Sequence, residues 1–237
     1  DISAQGVDFL VPARSDVGAT ARSLILVTPD AQRTMNTFLG AAQRLDKAAI
    51  DPARIADAAI LYLEGYLWDP EVPRAAMEAA IKAARAAGRK VAFTLSDTFC
   101  VERHRAGFWT LIEDGRIDIL FANEAEALAM AETDDIEVAK ARLSAAVPLL
   151  VVTKSERGAS AIAGTERADV PAESIERLVD TTGAGDLFAA GFLAGQARGL
   201  GLEASLRLGA IAAAEVIQHY GARPEADLKA LAGDLLA

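Results

Sequence analysis

Residues 180–191 read DTTGAGDLFAAG, and they lie between a short apolar run and an apolar helical stretch. Gly183, Ala184 and Gly185 therefore stand where a helix begins, and their small side chains leave the backbone N–H groups uncovered. Unpaired N–H donors and the positive end of the helix dipole together make such a turn a binding site for anions. Asp186 follows in the first turn of the helix and points toward the same space. The segment predicts an anion site beside a carboxylate.

A plainer interpretation of this turn has to be weighed against the anion site. An acidic residue in a first helical turn often only complements the helix dipole, and glycine pairs are common in ordinary turns. Two known phosphate loops are excluded by spacing, because Phe188 stands where the dinucleotide fingerprint needs a glycine and the Gly-Lys-Ser/Thr of a Walker loop occurs nowhere. The anion site and the plain helix start both remain.

Compact apolar runs alternate with longer amphipathic stretches before this turn. Runs that predict strands cover residues 23–28, 58–63, 90–95, 117–121 and 149–153. Strands that are apolar throughout and separated by helices are typical of a parallel sheet covered on both faces. Two shorter alternating runs, at residues 159–163 and 167–170, predict an antiparallel excursion at the sheet edge. Ligands of such folds collect at the carboxyl ends of the strands, here residues 64–66, 123–126 and 153–154.

Charge and composition exclude several classes of protein. The 237 residues include 24 Lys and Arg against 34 Asp and Glu, a formal net charge of −10, and 52% of them are apolar. Net negative charge without a basic cluster argues against a nucleic-acid partner, and no apolar run approaches the roughly 18 residues of a membrane helix. A single cysteine permits neither an internal disulfide nor a Cys/His zinc cluster. We expect a cytoplasmic protein that binds neither nucleic acid nor membrane.

A resemblance to a known family rests on several motifs. DTTGAGDLFAAGF, residues 180–192, resembles the carboxyl-terminal signature of the ribokinase-like (PfkB) family of carbohydrate and nucleoside kinases. Two further pieces occur in the order in which that family has them, an Asn-x-x-Glu element at residues 123–126 and a Thr-Lys strand end at residues 153–154 followed by Gly158. A match over a dozen residues is specific, and it moves the interpretation of the turn from a plain helix start to a phosphate site.

The resemblance covers nearly the whole chain but only the later part of the family. Residues 27–41 (VTPDAQRTMNTFLGA) and 64–70 (EGYLWDP) look most like bacterial adenosine kinase-like sugar kinases within it. The opening strands and the first Gly-Gly signature of the family would lie before Asp1, which is not a Met. We therefore expect a further amino-terminal part upstream of this chain.

The resemblance also implies an architecture. The family fold is a three-layer αβα sandwich around a mainly parallel sheet, so residues 1–237 are expected to form one truncated kinase domain. Residues 41–237 would be the α/β core, and residues 1–40 would hold lid strands and the entry to the core. Residues 7–12 and 23–28 are candidates for the remnant of a small β lid. Members of the family often pair through such a lid, which implies a homodimer.

The catalytic and phosphate-binding roles follow from the same resemblance. Asp186 is the candidate base that takes the proton from the acceptor hydroxyl, and the N–H groups of residues 183–185 would hold the charge on the transferred phosphoryl group of ATP. Asn123 and Glu126 would face the phosphates, with Glu126 holding Mg²⁺ through water. The competing interpretation of this second pair is an ordinary capping arrangement, Asn at the N-cap with Glu three residues later.

Five further residues are candidates for the nucleotide and for a monovalent cation. Thr153 and Gly158 would line the nucleotide, together with backbone near Gly221. Asp180 and Thr182 resemble the loops that hold a monovalent cation such as K⁺ in several members. Asp180 as a simple cap of the turn is an equally good interpretation.

The residues that would bind the acceptor substrate are the least determined by the sequence. Arg33 and Asn36 follow a strand and are candidates for contact with phosphate or substrate, although an isolated Arg is more often a surface residue. Tyr66 and Trp68 could border the acceptor pocket, but large aromatic side chains are usually packing residues. His219 is expected at the surface of a helix end, with a position near the adenine as the alternative.

Three functions remain open at this point. The first is an ATP-dependent kinase that phosphorylates a primary hydroxyl of a ribose-bearing substrate, adenosine or a related nucleoside above all. The second keeps the chemistry and changes the acceptor to a free sugar such as ribose or fructose. The third is a nucleotide-binding fragment without catalysis.

Overall fold

The computed structural model describes residues 2–9, 11, 13, 14 and 16–236, and strands and helices alternate along most of them. The strands are β1 (Arg22–Val27), β2 (Arg33–Phe38), β3 (Ile60–Glu64), β4 (Lys90–Thr94), β5 (Ile119–Asn123), β6 (Leu149–Thr153), β7 (Ala159–Ala163) and β8 (Glu166–Val170). The α-helices are α1 (Pro52–Asp57), α2 (Glu71–Ala86), α3 (Thr98–Glu113), α4 (Glu124–Ala131), α5 (Ile136–Ala146), α6 (Ala184–Ala197), α7 (Leu202–Val216) and α8 (Leu228–Ala232). Among the described residues, no helix combines the length and the apolar character needed to cross a membrane.

Strands β3 to β8 form one mixed sheet in which neighbours in space follow their order in the chain. Strands β3, β4, β5 and β6 run parallel, whereas β7 and β8 turn back antiparallel at one edge. At the carboxyl edge, Glu64 is level with Thr94, and Asn123 is level with Thr153. The predicted parallel sheet with its antiparallel excursion is confirmed, and the predicted strand ends meet at one edge.

Successive side chains of each central strand point to opposite faces, and each face has its own core. On one face, Val91 and Phe93 of β4 join buried residues of α2, α3, α4 and α5. On the other face, Ala92 belongs to a second cluster that includes Phe192 of α6 and Leu206 of α7. Right-handed crossovers between successive parallel strands explain why α2 to α5 share one face. The result is the predicted helix–sheet–helix sandwich.

Strand boundaries differ from the sequence prediction by one or two residues. The strand predicted at residues 117–121 begins only at Ile119, because Asp118 has another role. Its carboxylate accepts a hydrogen bond from the N–H of Val91 at 2.7 Å and pairs with Arg85 at 2.9 Å. Asp118 therefore ties the start of the sheet to α2 rather than extending the strand.

Strands β1 and β2 form a separate antiparallel hairpin, with Val27 opposite Arg33 beside its turn. The turn is closed by a hydrogen bond of 2.9 Å from the N–H of Thr28 to the carbonyl of Gln32. Most of the hairpin is exposed, and Leu24 keeps 72% of its surface accessible. The strand predicted at residues 23–28 is confirmed, and it lies outside the main sheet.

The partner of β1 differs from the one that the lid hypothesis suggested. Residues 7–9 and 11 have no strand conformation, and Leu10 and Pro12 lie outside the described residues. Residues 33–38 form the partner strand instead, although their apolar pattern predicts none. Their sequence RTMNTF includes two Thr residues and a Phe, which suit a strand without a buried face. The division into a lid and a core remains a prediction.

Helices α6 and α7 pack against each other backbone to backbone at glycines. A Cβ atom on Gly191 would lie 2.8 Å from the nitrogen of Gly209, and one on Gly209 would lie 2.8 Å from the carbonyl oxygen of Phe188. A Cβ on Gly195 would lie 2.6 Å from Oγ of Ser205, so the contacts run in opposite directions along the two helices. The helices are therefore antiparallel, and the start of α6 lies beside the end of α7.

Candidate active site

The carboxyl ends of the parallel strands and the first turn of α6 lie near one another, and the space between them is here named the cleft. Burial raises the pKa of Glu64 at the end of β3, and the nearby carboxylate of Asp186 raises it further. Tyr66, just after β3, has its pKa raised by burial and by Asp97, Glu126 and Asp186. These electrostatic interactions act through space over short distances. Four carboxylates from separate parts of the chain therefore lie at the cleft, those of Glu64, Asp97, Glu126 and Asp186.

The turn before α6 has the geometry of an anion site. Gly183 is the N-cap of the helix and adopts the left-handed conformation, φ 84°, which glycine reaches without strain. Its Cβ, if it had one, would lie 2.8 Å from the Cβ of Ala222, so the position also lacks space for a side chain. No side chain caps this helix end. The N–H of Ala184 makes a long hydrogen bond of 3.3 Å to the carbonyl of Thr181, and the next N–H groups of α6 are left to a ligand or to water.

Asp186 lies in the first helical turn, and solvent reaches its side chain. The protein packed around the remainder of the residue raises the pKa of its carboxyl group, and the positive charge of Arg33 works in the opposite direction. A carboxylate turned into the interior could not meet a substrate. The exposed position leaves Asp186 available as the predicted base.

Arg33 reaches the turn from the hairpin. Its Nη1 donates a hydrogen bond to Oγ1 of Thr181, which directly precedes the residues of the anion site. Asn36 stands opposite Leu24 in the hairpin, whereas Arg33 stands opposite Val27, so the two side chains project from opposite faces of β2. The structure brings Arg33 to the cleft and does not bring Asn36 there with it. Thr181 is a contact that the sequence pattern did not indicate.

Asn123 and Glu126 form a complete capping box at the start of α4. Asn123 Oδ1 accepts from the N–H of Glu126 at 2.8 Å, and in return Glu126 Oε2 accepts from the N–H of Asn123 at 3.0 Å. Glu126 Oε1 also accepts from Asn123 Nδ2 at 2.7 Å. Glu126 is only 5% exposed, and burial raises the pKa of its carboxyl group to about 7. The plain capping interpretation is thus correct for this pair, and the pair nevertheless stands at the edge of the cleft.

The donors in the cleft suit a hard cation held through water. Among the described residues, no three His, Cys, Asp or Glu side chains come together as a metal-binding group. Both oxygens of Glu126 already accept hydrogen bonds but keep further lone pairs. Mg²⁺ keeps several of its waters and is usually bound by one or two carboxylates plus substrate phosphates. Glu126 therefore fits the water-mediated role that the sequence suggested.

Glu126 should make the stability of the metal-free protein depend on pH. Since the pKa rises from 4.5 to about 7 on folding, the unfolded chain loses this proton first as the pH increases. The free energy of unfolding therefore falls between those two values, by about 3 kcal/mol. We expect urea unfolding in the presence of a chelator to show this fall in the wild type and not in Glu126→Gln. Glu113→Gln, at an exposed helix end, is the matched control, and a Glu126→Gln variant with the wild-type pH profile would refute the prediction.

Thr153 and Gly158 bracket a tight turn after β6. The N–H of Lys154 donates to the carbonyl of Gly158 at 2.7 Å, and Gly158 has a left-handed φ of 86°. A Cβ on Gly158 would lie 2.6 Å from the carbonyl carbon of Pro171, so this glycine is buried under the end of β8. Thr153 stands level with Asn123 at the edge of the cleft. Thr153 is therefore better placed than Gly158 to meet a ligand.

Lys154 is not the solvated loop charge that its position suggests. Its ammonium donates to Asp169 at 2.8 Å, and its side chain is only 15% exposed. Ser160 Oγ donates to the same carboxylate at 2.5 Å, and the two donors lower the pKa of Asp169. Lys154 thus fixes the β7–β8 hairpin to the end of β6.

Asp180 joins the anion turn to the segment after α7. The residue is 3% exposed, and its Oδ1 accepts from the N–H and the hydroxyl of Thr182 at 2.9 and 2.7 Å. Its Oδ2 accepts from the N–H of Gly221 at 3.1 Å. Burial by itself would raise the pKa of Asp180, but these bonds and the charge of Arg33 outweigh it and keep the pKa below its usual value. The capping role of Asp180 is confirmed, and Thr182 and Gly221 are brought together with it.

The structure places Trp68, Tyr66 and His219 in three different environments. Trp68 is 6% exposed and packs edge-on against Phe108 at 6.1 Å, so it is a core residue. Tyr66 is 46% exposed and donates from its hydroxyl to the carbonyl of Ser96 at 2.9 Å, beside the cleft. His219 follows the end of α7 as expected, but only 16% of its side chain is exposed, and its Nε2 lies 3.4 Å from Oε1 of Glu215.

Two open depressions lie at the opposite edge of the sheet. Their volumes are about 420 and 330 Å³, and both are lined by residues at the start of α7 and near the amino ends of strands. The larger one mixes Glu166 and Glu203 with Arg167 and Arg207. None of the predicted site residues lines either depression, so they play no part in the assignment of the cleft.

The chain is similar to a known protein family and to several curated proteins. The family model described as pfkB family carbohydrate kinase matches residues 1–228. The chain is 42% identical over 109 residues to a cytidine kinase of Thermococcus kodakarensis, covering 45% of this chain and 39% of that protein. It is 34% identical over 119 residues to adenosine kinase 1 of Arabidopsis thaliana, covering 44% and 35%. The chain thus spans less than half the length of these curated relatives.

Solved structures with the same fold cover nearly all of the chain. A probable sugar kinase of Rhizobium etli superimposes with a TM-score of 0.96 at 46% identity, covering 98% of this chain and 70% of that one. An adenosine kinase of Sinorhizobium meliloti gives a TM-score of 0.95 at 45% identity, with coverages of 98% and 71%. A putative ribokinase II of Escherichia coli, solved with ATP and Mg²⁺, shares the fold at 20% identity and a TM-score of 0.87.

Proposed function

Because the chain belongs to the pfkB family of carbohydrate kinases, we propose that it forms the phosphoryl-transfer part of an ATP-dependent kinase. The acceptor would be a primary hydroxyl of a ribose-bearing substrate. The observation that carries the proposal is the solvent-accessible carboxylate of Asp186 on the first turn of α6, directly beside Gly183. A helix start that attracts negative oxygens next to a general base is the arrangement that phosphoryl transfer requires.

Each part of the site has one task in the proposed step. The acceptor oxygen attacks the γ-phosphorus of ATP, its proton passes to the carboxylate of Asp186, the bond to the β,γ-bridging oxygen breaks and ADP leaves. The N–H groups of residues 183–185 and the guanidinium of Arg33 stabilise the negative charge on the transferred group. Positioning and charge stabilisation dominate such reactions. The raised pKa of Asp186 makes it a stronger base than a carboxylate surrounded only by water.

The cations belong to the same proposal. Mg²⁺ bound with the nucleotide would neutralise phosphate charge, and Glu126 would hold it through water at the edge of the cleft. A K⁺ ion near Asp180 and Thr182 is proposed from the resemblance. Both oxygens of Asp180 already accept hydrogen bonds, so the loop is preformed without such an ion.

Adenosine or a related nucleoside is the proposed acceptor. Support comes from the 45% identity to the Sinorhizobium meliloti adenosine kinase over nearly the whole chain. A free sugar of the ribose or fructose type is the alternative, because the Rhizobium etli neighbour at 46% identity is a probable sugar kinase. Glu64 and Tyr66 border the acceptor side of the cleft and are the residues that could bind its hydroxyl groups.

The test is nucleotide binding followed by turnover with a panel of acceptors. We expect ATP with Mg²⁺ at 100 Kd to stabilise the protein by about 2.7 kcal/mol. Coupled ADP release, measured on the full-length protein with nucleosides and free sugars in parallel, is expected to be fastest with adenosine. Stabilisation without ADP release from any acceptor would favour a nucleotide-binding protein without catalysis. Neither stabilisation nor release would contradict the proposed function.

The remaining properties are proposed from the sequence. A net charge of −10 and the absence of a basic cluster support a small-molecule substrate and no nucleic-acid partner. We place the protein in the cytoplasm without a membrane partner, as a homodimer that pairs through the exposed hairpin. Light scattering and fractionation of cells would test these two points.

A further inference from the structure

Glu215 and His219 face each other at the end of α7 and leave two buried polar atoms without a hydrogen bond. Glu215 is 8% exposed, and its Oε2 has no hydrogen-bond partner within the described part of the chain. Nε2 of His219, which lies 3.4 Å from Oε1 of Glu215, is buried and lacks one as well. A buried polar atom without a partner is costly. Apolar packing alone does not explain why two such atoms occur on facing side chains.

The other carboxylate oxygen of Glu215 ties the segment that follows α7 back to the helix. Oε1 accepts hydrogen bonds from the N–H groups of Glu225 and Ala226, each at 2.8 Å. Nδ1 of His219 lies 3.5 Å from the carbonyl oxygen of Tyr220 and 3.8 Å from a carboxylate oxygen of Glu225. The pair therefore contacts both the beginning and the end of this segment.

Residues 217–226, here named the brace loop, lie against the anion turn. The N–H groups of Val179 and Asp180 donate to the carbonyl of Ile217 at 2.9 and 3.3 Å. In the opposite direction, the N–H of Gly221 donates to Oδ2 of Asp180 at 3.1 Å. Backbone and side-chain bonds thus connect the brace loop to the residues directly before the turn.

The brace loop also packs against the anion turn by van der Waals contact. The position of a Cβ on Gly183 would be 2.8 Å from the Cβ of Ala222, so the brace loop is the surface against which the turn is packed. Close contact between Gly191 and Gly209 fixes α6 to α7, and with them the start of one helix beside the end of the other. What holds the brace loop to α7 therefore also holds the anion turn in place.

We propose that Glu215 and His219 form a latch that positions the anion turn by fixing the brace loop to the end of α7. Neither residue touches the cleft, so both act as positioning residues and not as catalytic ones. The proposal rests on the proposed function only where it names the nucleotide phosphates as the group whose binding depends on the latch.

Three variants with small changes in one side chain test the latch. Glu215→Ala removes the acceptor of both loop N–H groups, whereas Glu215→Gln keeps a carbonyl acceptor and gains an amide donor toward His219. Glu203→Ala makes the same substitution at an exposed position at the start of the same helix. Calorimetry with ATP and Mg²⁺ measures nucleotide affinity, and amide hydrogen exchange of the unliganded protein measures the order of the brace loop.

Loss of the charge-assisted hydrogen bonds should weaken ATP binding roughly tenfold in Glu215→Ala and accelerate exchange in the brace loop by a similar factor. Turnover at saturating ATP and the KM of the acceptor should stay close to the wild type. Glu215→Gln and Glu203→Ala should retain the affinity and the exchange of the wild type. Should Glu215→Ala fail to fold, His219→Leu removes the facing nitrogen with similar bulk, and faster loop exchange is expected there as well.

The results separate the latch from the kinase assignment. A wild type that does not bind ATP contradicts the proposed function, and the exchange measurement still decides the latch. A Glu215→Ala variant whose brace loop exchanges like the wild type overturns the latch, as does one that binds ATP equally well. The latch is also overturned if Glu215→Gln or Glu203→Ala is impaired as strongly as Glu215→Ala.

Discussion

Replacing Asp186 by Asn is expected to lower turnover by roughly 10²–10⁴, the range for loss of a positioned acid/base group. Asn keeps the size of the side chain and one accepting oxygen, but it replaces the other oxygen by a donor NH2 group and cannot take the proton of the acceptor hydroxyl. ATP affinity should be unchanged, because the phosphates are held by the N–H groups of the turn and by Arg33. Steady-state ADP release with the preferred acceptor and calorimetry with ATP and Mg²⁺ measure the two quantities.

Asp114→Asn is the matched control for this experiment. Asp114 is exposed and follows α3 at the opposite edge of the sheet, so the same loss of charge should leave turnover unchanged. Near-normal turnover in Asp186→Asn would remove this carboxylate from the mechanism. A large loss of ATP affinity in that variant would show that the carboxylate shapes the turn instead.

Replacing Gly191 by Val is expected to lower the free energy of unfolding by about 3 kcal/mol or more, because a well-packed interface has no space for added atoms. Already the Cβ would lie 2.8 Å from the backbone nitrogen of Gly209 and closer still to the carbonyl of Leu208. Backbone atoms cannot move aside as a flexible side chain can. Helices α6 and α7 would have to separate, and the turn at the start of α6 would move with them.

Gly185→Val tests the same substitution in the same helix without the steric conflict. Nothing lies within 4 Å of a Cβ on Gly185, and Val has a slightly higher helix propensity than Gly. Denaturant unfolding should therefore show little change for Gly185→Val and a large loss for Gly191→Val. Equal stability of the two variants would mean that the close approach of α6 and α7 is not tight enough to matter.

The main sheet could be predicted from the sequence because of how parallel strands are buried. Runs such as residues 149–153 are apolar at every position, since both faces of the strand are covered, and β6 occupies that range. The β2 strand could not be found in this way. Its residues 33–38 are exposed on both faces, so no apolar pattern marks them, and pairing with β1 depends on the closure of the turn between them.

The candidate site was predictable where its residues stand at strand or helix ends. Asp186 and the glycine turn are marked by their local sequence, and Asn123 and Glu126 by their spacing. In the sequence, a helix cap and a phosphate-facing pair are alternative interpretations of Asn123 and Glu126. In the structure the two side chains form the cap and also stand at the edge of the cleft. The position of Glu64 at a strand end was predictable as well, but its raised pKa was not, because that depends on burial and on Asp186, a residue far along the chain.

Glu215 and His219 show a second limit of local patterns. They are four residues apart, a spacing that in a helix usually indicates a surface pair, but His219 lies beyond the end of α7. Their burial follows from the brace loop, which folds back over the end of α7 and is held by bonds from Glu225 and Ala226. Only the path of the chain after the helix distinguishes an exposed pair from an enclosed one.

On the proposed function, the carboxylates around Tyr66 should restrict the ionic form in which a nucleotide enters. Asp97, Glu126 and Asp186 all raise the pKa of Tyr66, and Asp186 also raises the pKa of Glu64, so the walls of the cleft should repel a bare triphosphate. A triphosphate that has already chelated a divalent metal brings less negative charge past these walls. Selection between chelated and unchelated nucleotide would then occur at the entrance, before any hydrogen bond to the helix start has formed.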